Sequence, residues 1–131
     1  MIIKKSKLYR AMNETDECKE IFTPTEKDVI KWFRIINREV FNNELPMFKK
    51  IDIRRRHKVW GEVEAHEYKN KKRYCNVSFH HKMFSKQHFI KILAHEMIHN
   101  YQWTIDKLDN MYHNDSFFRW NLVMSKFGIT L

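Results

Sequence analysis

Glycine, proline and cysteine each occur only twice in the 131 residues, and each shortage removes a class of function. Gly61 and Gly128 alone cannot assemble G-x-G-x-x-G or the P-loop G-x-x-x-x-G-K-[ST], so the common phosphate-cradling loops are excluded. G-x-S-x-G fails for the same reason, and with it the nucleophile elbow of the serine hydrolases. Cys18 and Cys75 lie far apart and no C-x-x-C occurs, which excludes a disulfide framework and a zinc ribbon. Two separated thiols suit a reducing compartment. No run approaches the ~18 apolar residues of a membrane span. The apolar start, Met1-Ile2-Ile3 before Lys4, is too short for a signal peptide. The expectation is a cytoplasmic protein without a membrane partner.

What is present is a core and an uneven charge. Hydrophobic residues make up 43% and aromatics 15%, enough for one compact domain of this length. The formal net charge is +9, yet residues 49–91 alone carry 13 Lys/Arg against 4 Asp/Glu. The excess sits in Lys49-Lys50, in Arg54, Arg55, Arg56 and Lys58, and in Lys69, Lys71, Lys72 and Arg73. A concentrated basic face attracts polyanions, nucleic acid foremost. Trp60, Tyr68 and Tyr74 are interleaved with these cations and can stack on unpaired bases, so single-stranded or junction DNA is the expected form. Arg54 and Arg56 would share one side of a strand and Arg55 the other. The plain alternative is a solvated surface that contacts nothing.

Residues 1–22 are weakly patterned and read as an N-terminal arm, leaving 23–131 as the domain. Thr23-Pro24-Thr25-Glu26 has the form of a capping box with proline at the first helical position. Val29, Phe33, Ile36 and Val40 then recur on one helical face. Asn42-Asn43-Glu44-Leu45-Pro46 ends that helix in a turn. Three β-prone runs follow at Lys50–Arg54, Val59–Ala65 and Tyr74–Phe79, with residues 69–73 as a hairpin connection. Ser85 can cap a second helix to about Trp103, whose apolar residues cover nearly its whole circumference and so predict burial. A third helix is expected from Asp115, itself the cap, to about Phe127, with Gly128 as the stop. Trp32, Phe33, Phe117, Trp120 and Met124 read as core. The order helix, three strands, helix, helix predicts an α+β fold.

Inside the buried helix stands His95-Glu96-Met97-Ile98-His99, an H-E-x-x-H motif. Histidines at i and i+4 project from one face and can bind a single metal ion, with the intervening glutamate placed to accept a proton from water. Two imidazoles and a carboxyl buried without a metal or other partners would cost several kcal/mol. A third ligand must come from downstream. Glu96 is the last glutamate, which excludes a thermolysin-like donor. A metzincin extension needs glycine and then histidine where this chain has Gln102 and Ile105. His113 is the only later histidine, and Asp106 and Asp109 compete with it. Imidazole is a favoured donor for a catalytic zinc, so His113 is preferred. His57, His66, His80, His81 and His88 are expected in surface or packing roles, with His88 edging the cleft. Tyr101 and Tyr112 are expected to pack; the alternative is stabilising an oxyanion.

HEMIHNY followed by a loop and HNDSFF resembles the SprT-like metallopeptidases, the group that includes Spartan. FNNELP resembles that family's segment after its first helix, Val59-Trp60-Gly61 its small residue and glycine, and Tyr74–Phe79 its strand before the H-E-x-x-H helix. The resemblance spans about Thr23 to Phe127. It implies a zincin-like domain with an N-terminal helix, a small three-stranded sheet, a central H-E-x-x-H helix and a C-terminal helix. It implies Zn2+ held by His95, His99 and His113, Glu96 as the catalytic carboxylate, and a protein or peptide substrate associated with DNA. Asn114 stands where the family usually has glycine; asparagine tolerates left-handed backbone, so a tight turn is expected there. Two other classes are compatible with the residues: a nucleic-acid-binding module stapled by a structural zinc, and a protease relative without activity.

Overall fold

A computed structural model describes residues 21–130. The arm expected over residues 1–22 therefore lies almost wholly outside the described residues. Its last residue, Phe22, exchanges two backbone hydrogen bonds with Met83 at 2.8 and 2.9 Å and packs its ring on Phe89.

The described chain forms α1 (Glu26–Val40), β1 (Lys50–Arg54), β2 (Gly61–Glu67), β3 (Arg73–His80), α2 (Lys86–Thr104) and α3 (Asp115–Lys126). This is the expected α+β order, and the differences lie at element ends. The first helix is capped by Thr25, not Thr23. Thr25 accepts from the Asp28 N–H while the Asp28 carboxylate accepts from the Thr25 N–H, which moves the capping box two residues on. Strand β2 starts at Gly61 because Lys58 takes a left-handed φ of 64° and turns the chain just before it. The α3 cap is Asn114, not Asp115: its side chain accepts from the N–H groups of Ser116 and Phe117. Asn114 has φ −102°, so no left-handed turn is made where the family has glycine. Asparagine serves there as a cap.

The sheet order is β1-β3-β2, with β1 parallel and β2 antiparallel to β3. Cys75, Val77 and Phe79 alternate onto the buried face, as the sequence pattern required. Helix α2 packs across β2 and β3 on that face, with α1 and α3 beside it. Phe89, Ile90, Leu93, Met97 and Ile98 are all fully buried. Each such side chain contributes about 2 kcal/mol of burial free energy. No described helix is long and apolar enough to cross a membrane.

FNNELP is an anchor. Asn42 and Asn43 both adopt positive φ, 57° and 61°, which asparagine tolerates better than most residues. Buried Asn37 pairs both ways with Leu45, donating to its carbonyl at 3.0 Å and accepting from its N–H at 3.1 Å. Asn100 of α2 donates to the Pro46 carbonyl at 2.9 Å. The turn is thereby tied to α1 and to the H-E-x-x-H helix.

Gly61 fixes how closely β2 and α2 approach. A Cβ there would lie 2.8 Å from Ile92 Cγ2, 3.2 Å from Phe79 Cδ1 and 3.4 Å from Glu96 Cγ. Phe79 is fully buried, and half-buried Ile92 carries the crowded methyl directly on its branched Cβ. Gly61→Ala is therefore expected to lower stability by about 1–3 kcal/mol. A double-mutant cycle with Ile92→Ala, read by denaturant unfolding, should return a favourable coupling; strict additivity would locate the strain elsewhere.

Candidate metal centre

Strand β2 is an edge, and its ladder decides which backbone groups face the cleft. The pairs Trp60–His80 and Tyr68–Lys72 are hydrogen-bonded at 2.8 Å at its two ends. Within the register, residues 62, 64 and 66 therefore turn their backbone groups to β3. Gly61, Val63 and Ala65 turn theirs outward, along the open edge. The Val63 N–H faces the Glu96 carboxyl and favours its ionised form. Gly61, Glu62, Val63, Glu96, His99 and Met111 line a cleft of 240 Å³ between this edge and α2.

Across the cleft three imidazoles converge. His95 Nε2 lies 3.2 Å from His99 Nε2 and 3.2 Å from His113 Nε2, and the last two are 3.3 Å apart. Neutral rings cannot satisfy three such contacts with hydrogen bonds when their lone pairs point to one centre. A metal with Zn–N bonds of about 2.0–2.1 Å and tetrahedral angles needs nitrogens about 3.3–3.4 Å apart. The triangle fits that requirement. Among the described residues no fourth His, Cys, Asp or Glu joins the three. Asp109 is exposed and pairs with Arg73 at 3.6 Å, and Asp106 stands outside the cluster.

Each ring is held from behind. Phe117, buried at the start of α3, lies against all three, at 4.8 Å from His95, 5.1 Å from His99 and 4.3 Å from His113 between ring centroids. Gln102 receives a hydrogen bond from His99 Nδ1 at 2.9 Å. Burial lowers the pKa of His95 to about 4, helped by His99 and His113, so its ring is neutral at pH 7. Burial also lowers His99, and the bond to Gln102 opposes that shift. Neutral imidazole is the form that binds a metal. Glu96, 5% exposed, is pushed up to about 8 by burial and then by the nearby Glu62 carboxylate, against the Val63 N–H.

Other candidates fall outside the centre. His88 accepts from the Phe84 N–H at 3.2 Å and packs edge-on to Trp60, two helical turns before His95. Tyr101 packs on Phe41 and Trp120, and Tyr112 is exposed. Of the basic residues, Arg55, Lys58, Lys69, Lys71 and Lys72 are exposed, and exposed Arg54 pairs with Asp52 at 3.1 Å. Arg56 is drawn onto the sheet by Ser78 at 2.6 Å and Glu62 at 2.9 Å. Arg73 donates to the carbonyls of Trp103 and Leu108 at 3.3 and 2.7 Å and lies on the Trp103 ring. Arg54 and Arg56 thus do not form a free outward pair.

The sequence reading missed Gln102, Phe117 as the wall behind the rings, and the Val63 N–H. A glutamine three residues after His99 on a buried helix was the visible signal for the first. The other two depend on tertiary placement.

A buried helix, an open sheet edge and three converging imidazoles beside a carboxyl define an α+β protein with a three-histidine candidate metal site. The profile of the SprT-like family matches residues 29–129, and the chain belongs to that family. Comparison with individually curated proteins returns no match.

The shifts set the pH response of the metal-free protein. Glu96 has a folded pKa above its ordinary 4.5, so its contribution to stability is present below 4.5 and lost as pH rises through about 8. His95 is depressed below 6.5, so its contribution is present above 6.5 and lost as pH falls through about 4. Between pH 6.5 and 8 the Glu96 effect stands alone of the two. Stability of chelator-treated protein should fall across that window by at most about 2 kcal/mol, and Glu96→Gln should flatten the fall. An unchanged slope in Glu96→Gln, measured by urea unfolding, would assign it to another group.

Proposed function

We propose that this protein is a zinc-dependent metallopeptidase of the H-E-x-x-H type. The observation that carries it is the triangle of His95, His99 and His113 Nε2 atoms beside a buried carboxyl on an open strand edge. The three imidazoles would hold the ion, and no described protein donor competes for a fourth position. A bound zinc would supply Lewis acidity, polarising a carbonyl and making water acidic near neutral pH. Glu96 is the base that takes the proton from the attacking water and delivers it to the leaving amine. An extended substrate peptide aligns along Gly61, Val63 and Ala65, whose outward backbone groups, apart from the Val63 N–H turned to Glu96, offer strand-type hydrogen bonds. A structural-zinc module needs a closed coordination shell and no general base, and the arrangement favours neither.

DNA is the proposed partner. Family membership and the exposure of Arg55, Lys58, Lys69, Lys71 and Lys72 support it. The substrates are accordingly proteins held close to DNA.

Zinc content and cleavage of an unstructured protein, measured for wild type, Glu96→Gln and His113→Ala with and without DNA, test this. Glu96→Gln should keep one zinc per chain and lose at least about a hundredfold in cleavage rate. His113→Ala should lose the metal. Zinc-loaded wild type that cleaves no protein would leave a binding relative without activity. Reversing Lys69, Lys71 and Lys72 to Glu should weaken single-stranded DNA binding. The slope of log affinity against log salt should flatten by roughly 0.7 for each phosphate no longer neutralised. Unaltered binding would make the basic turn a solvated surface.

A further inference from the structure

Gln102 touches no substrate and would not touch a metal, yet it reaches both halves of the centre. It lies one turn beyond His99 on α2 and is fully buried. Its Oε1 is 2.9 Å from His99 Nδ1. Its Nε2 is 2.9 Å from the Tyr112 carbonyl, 3.1 Å from Asn114 Oδ1 and 2.8 Å from Ser116 Oγ. Tyr112 and Asn114 are the two neighbours of His113.

The orientation of the amide follows from its partners. A backbone carbonyl only accepts, so the nitrogen of Gln102 must face Tyr112 and its oxygen must face His99. An amide oxygen in turn requires a donor, so His99 must carry its proton on Nδ1. That leaves the Nε2 lone pair pointed at His95 and His113. Asn114 Oδ1, gripped by the same amide, also caps α3 through the N–H groups of Ser116 and Phe117. The His113 backbone is thus clamped on both sides to the helix that carries the other two histidines.

We propose that Gln102 is the positioning residue of the metal centre, selecting the His99 tautomer and docking the exposed His113 loop against α2 with one side chain. The inference rests on the metal-site reading above, and it deepens that reading: the site owes its three-point geometry to a residue outside the H-E-x-x-H motif. A leucine at this position would fill the space but neither accept from His99 nor donate to Tyr112. A glutamate would still accept from His99 and would lose both donors to the loop.

The test uses the full chain as wild type, Gln102→Leu and Gln102→Glu, with folding checked by circular dichroism. Zinc affinity is measured by competition with a chromophoric chelator, and Co2+ absorption reports coordination geometry. The tautomer of His99 is read in metal-free protein from imidazole 15N shifts. Gln102→Leu is expected to bind zinc about 10–100-fold more weakly, with an altered Co2+ spectrum and a mixed His99 tautomer. Gln102→Glu is expected to keep the Nδ1–H tautomer while still losing affinity through the His113 loop. Should the leucine variant fail to fold, the glutamate variant and the wild-type tautomer decide the question. Wild-type affinity together with an unchanged Co2+ spectrum in a folded variant would overturn the proposal, as would a wild-type His99 protonated on Nε2. Wild type that binds no zinc would overturn the metal-site reading instead, and the tautomer measurement would still judge the pairing of Gln102 with His99.

Discussion

Helix α2 is packed on nearly every side, and it nevertheless buries an imidazole, a carboxyl and two side-chain amides and half-buries a second imidazole. Polar groups taken out of water must find partners, or they cost more than the surrounding apolar packing returns. Much of the molecule answers to that requirement. The edge strand comes close enough to offer the Val63 N–H to Glu96, and only a residue without a side chain permits the approach. Asn100 finds the Pro46 carbonyl, Gln102 finds His99 and the loop beyond it, and Phe117 closes the space behind the rings. The residues that look functional and those that look structural are satisfied by one another.

This mutual dependence explains what could be read from the residue order. The alternation of Cys75, Val77 and Phe79 and the apolar girth of α2 are local patterns, and they identified the sheet and the central helix without tertiary information. His95, Glu96 and His99 were legible because one helical turn brings the two histidines onto a common face. His113 was preferred over the competing Asp106 and Asp109 because it is an imidazole, and its partnership depends on the fold. The cap at Asn114 was misassigned because Asn114 and Asp115 are adjacent good caps, and only the path of the chain past His113 chooses between them. The same holds for Thr23 and Thr25, two potential caps separated by one proline. Gln102 carries no motif. Its role exists only because the chain returns past Tyr112 after ten residues.

Charge counting along the chain overstated the freely available cations. Arg73 donates to the Trp103 carbonyl at the end of α2 and to the Leu108 carbonyl in the loop beyond it, and a cation is favoured at that negative end of a helix. It also joins Glu67 and Asp109, so it links the hairpin, the helix terminus and the loop leading to His113. Arg56 likewise holds Ser78 and Glu62 together across two strands. Lys49 rests between the rings of Tyr68 and Tyr74, 4.5 Å from each centroid. Among the exposed cations of this segment, Arg55 and Lys58 lie at one end of β2 and Lys69, Lys71 and Lys72 at the other, with Lys71 paired to Glu67. A polyanion reaching both would have to run the length of β2.

An edge strand with outward backbone groups is a template for any extended chain, including another copy of itself. Many proteins suppress that hazard by shortening or covering the edge. Here no strand among the described residues pairs with the edge, and discrimination passes to the side chains. Glu62 and Glu64 stand exposed on either side of Val63, with Glu67 at the end of the same strand. Two copies meeting edge to edge would bring their glutamates together, and like charges across a strand pair are destabilising. A visiting strand of neutral or basic residues meets no such repulsion. Glu62 and Glu67 are already paired with Arg56 and Arg73, so Glu64 is left as the side chain by which this edge would repel its own copy and admit a neutral or basic strand.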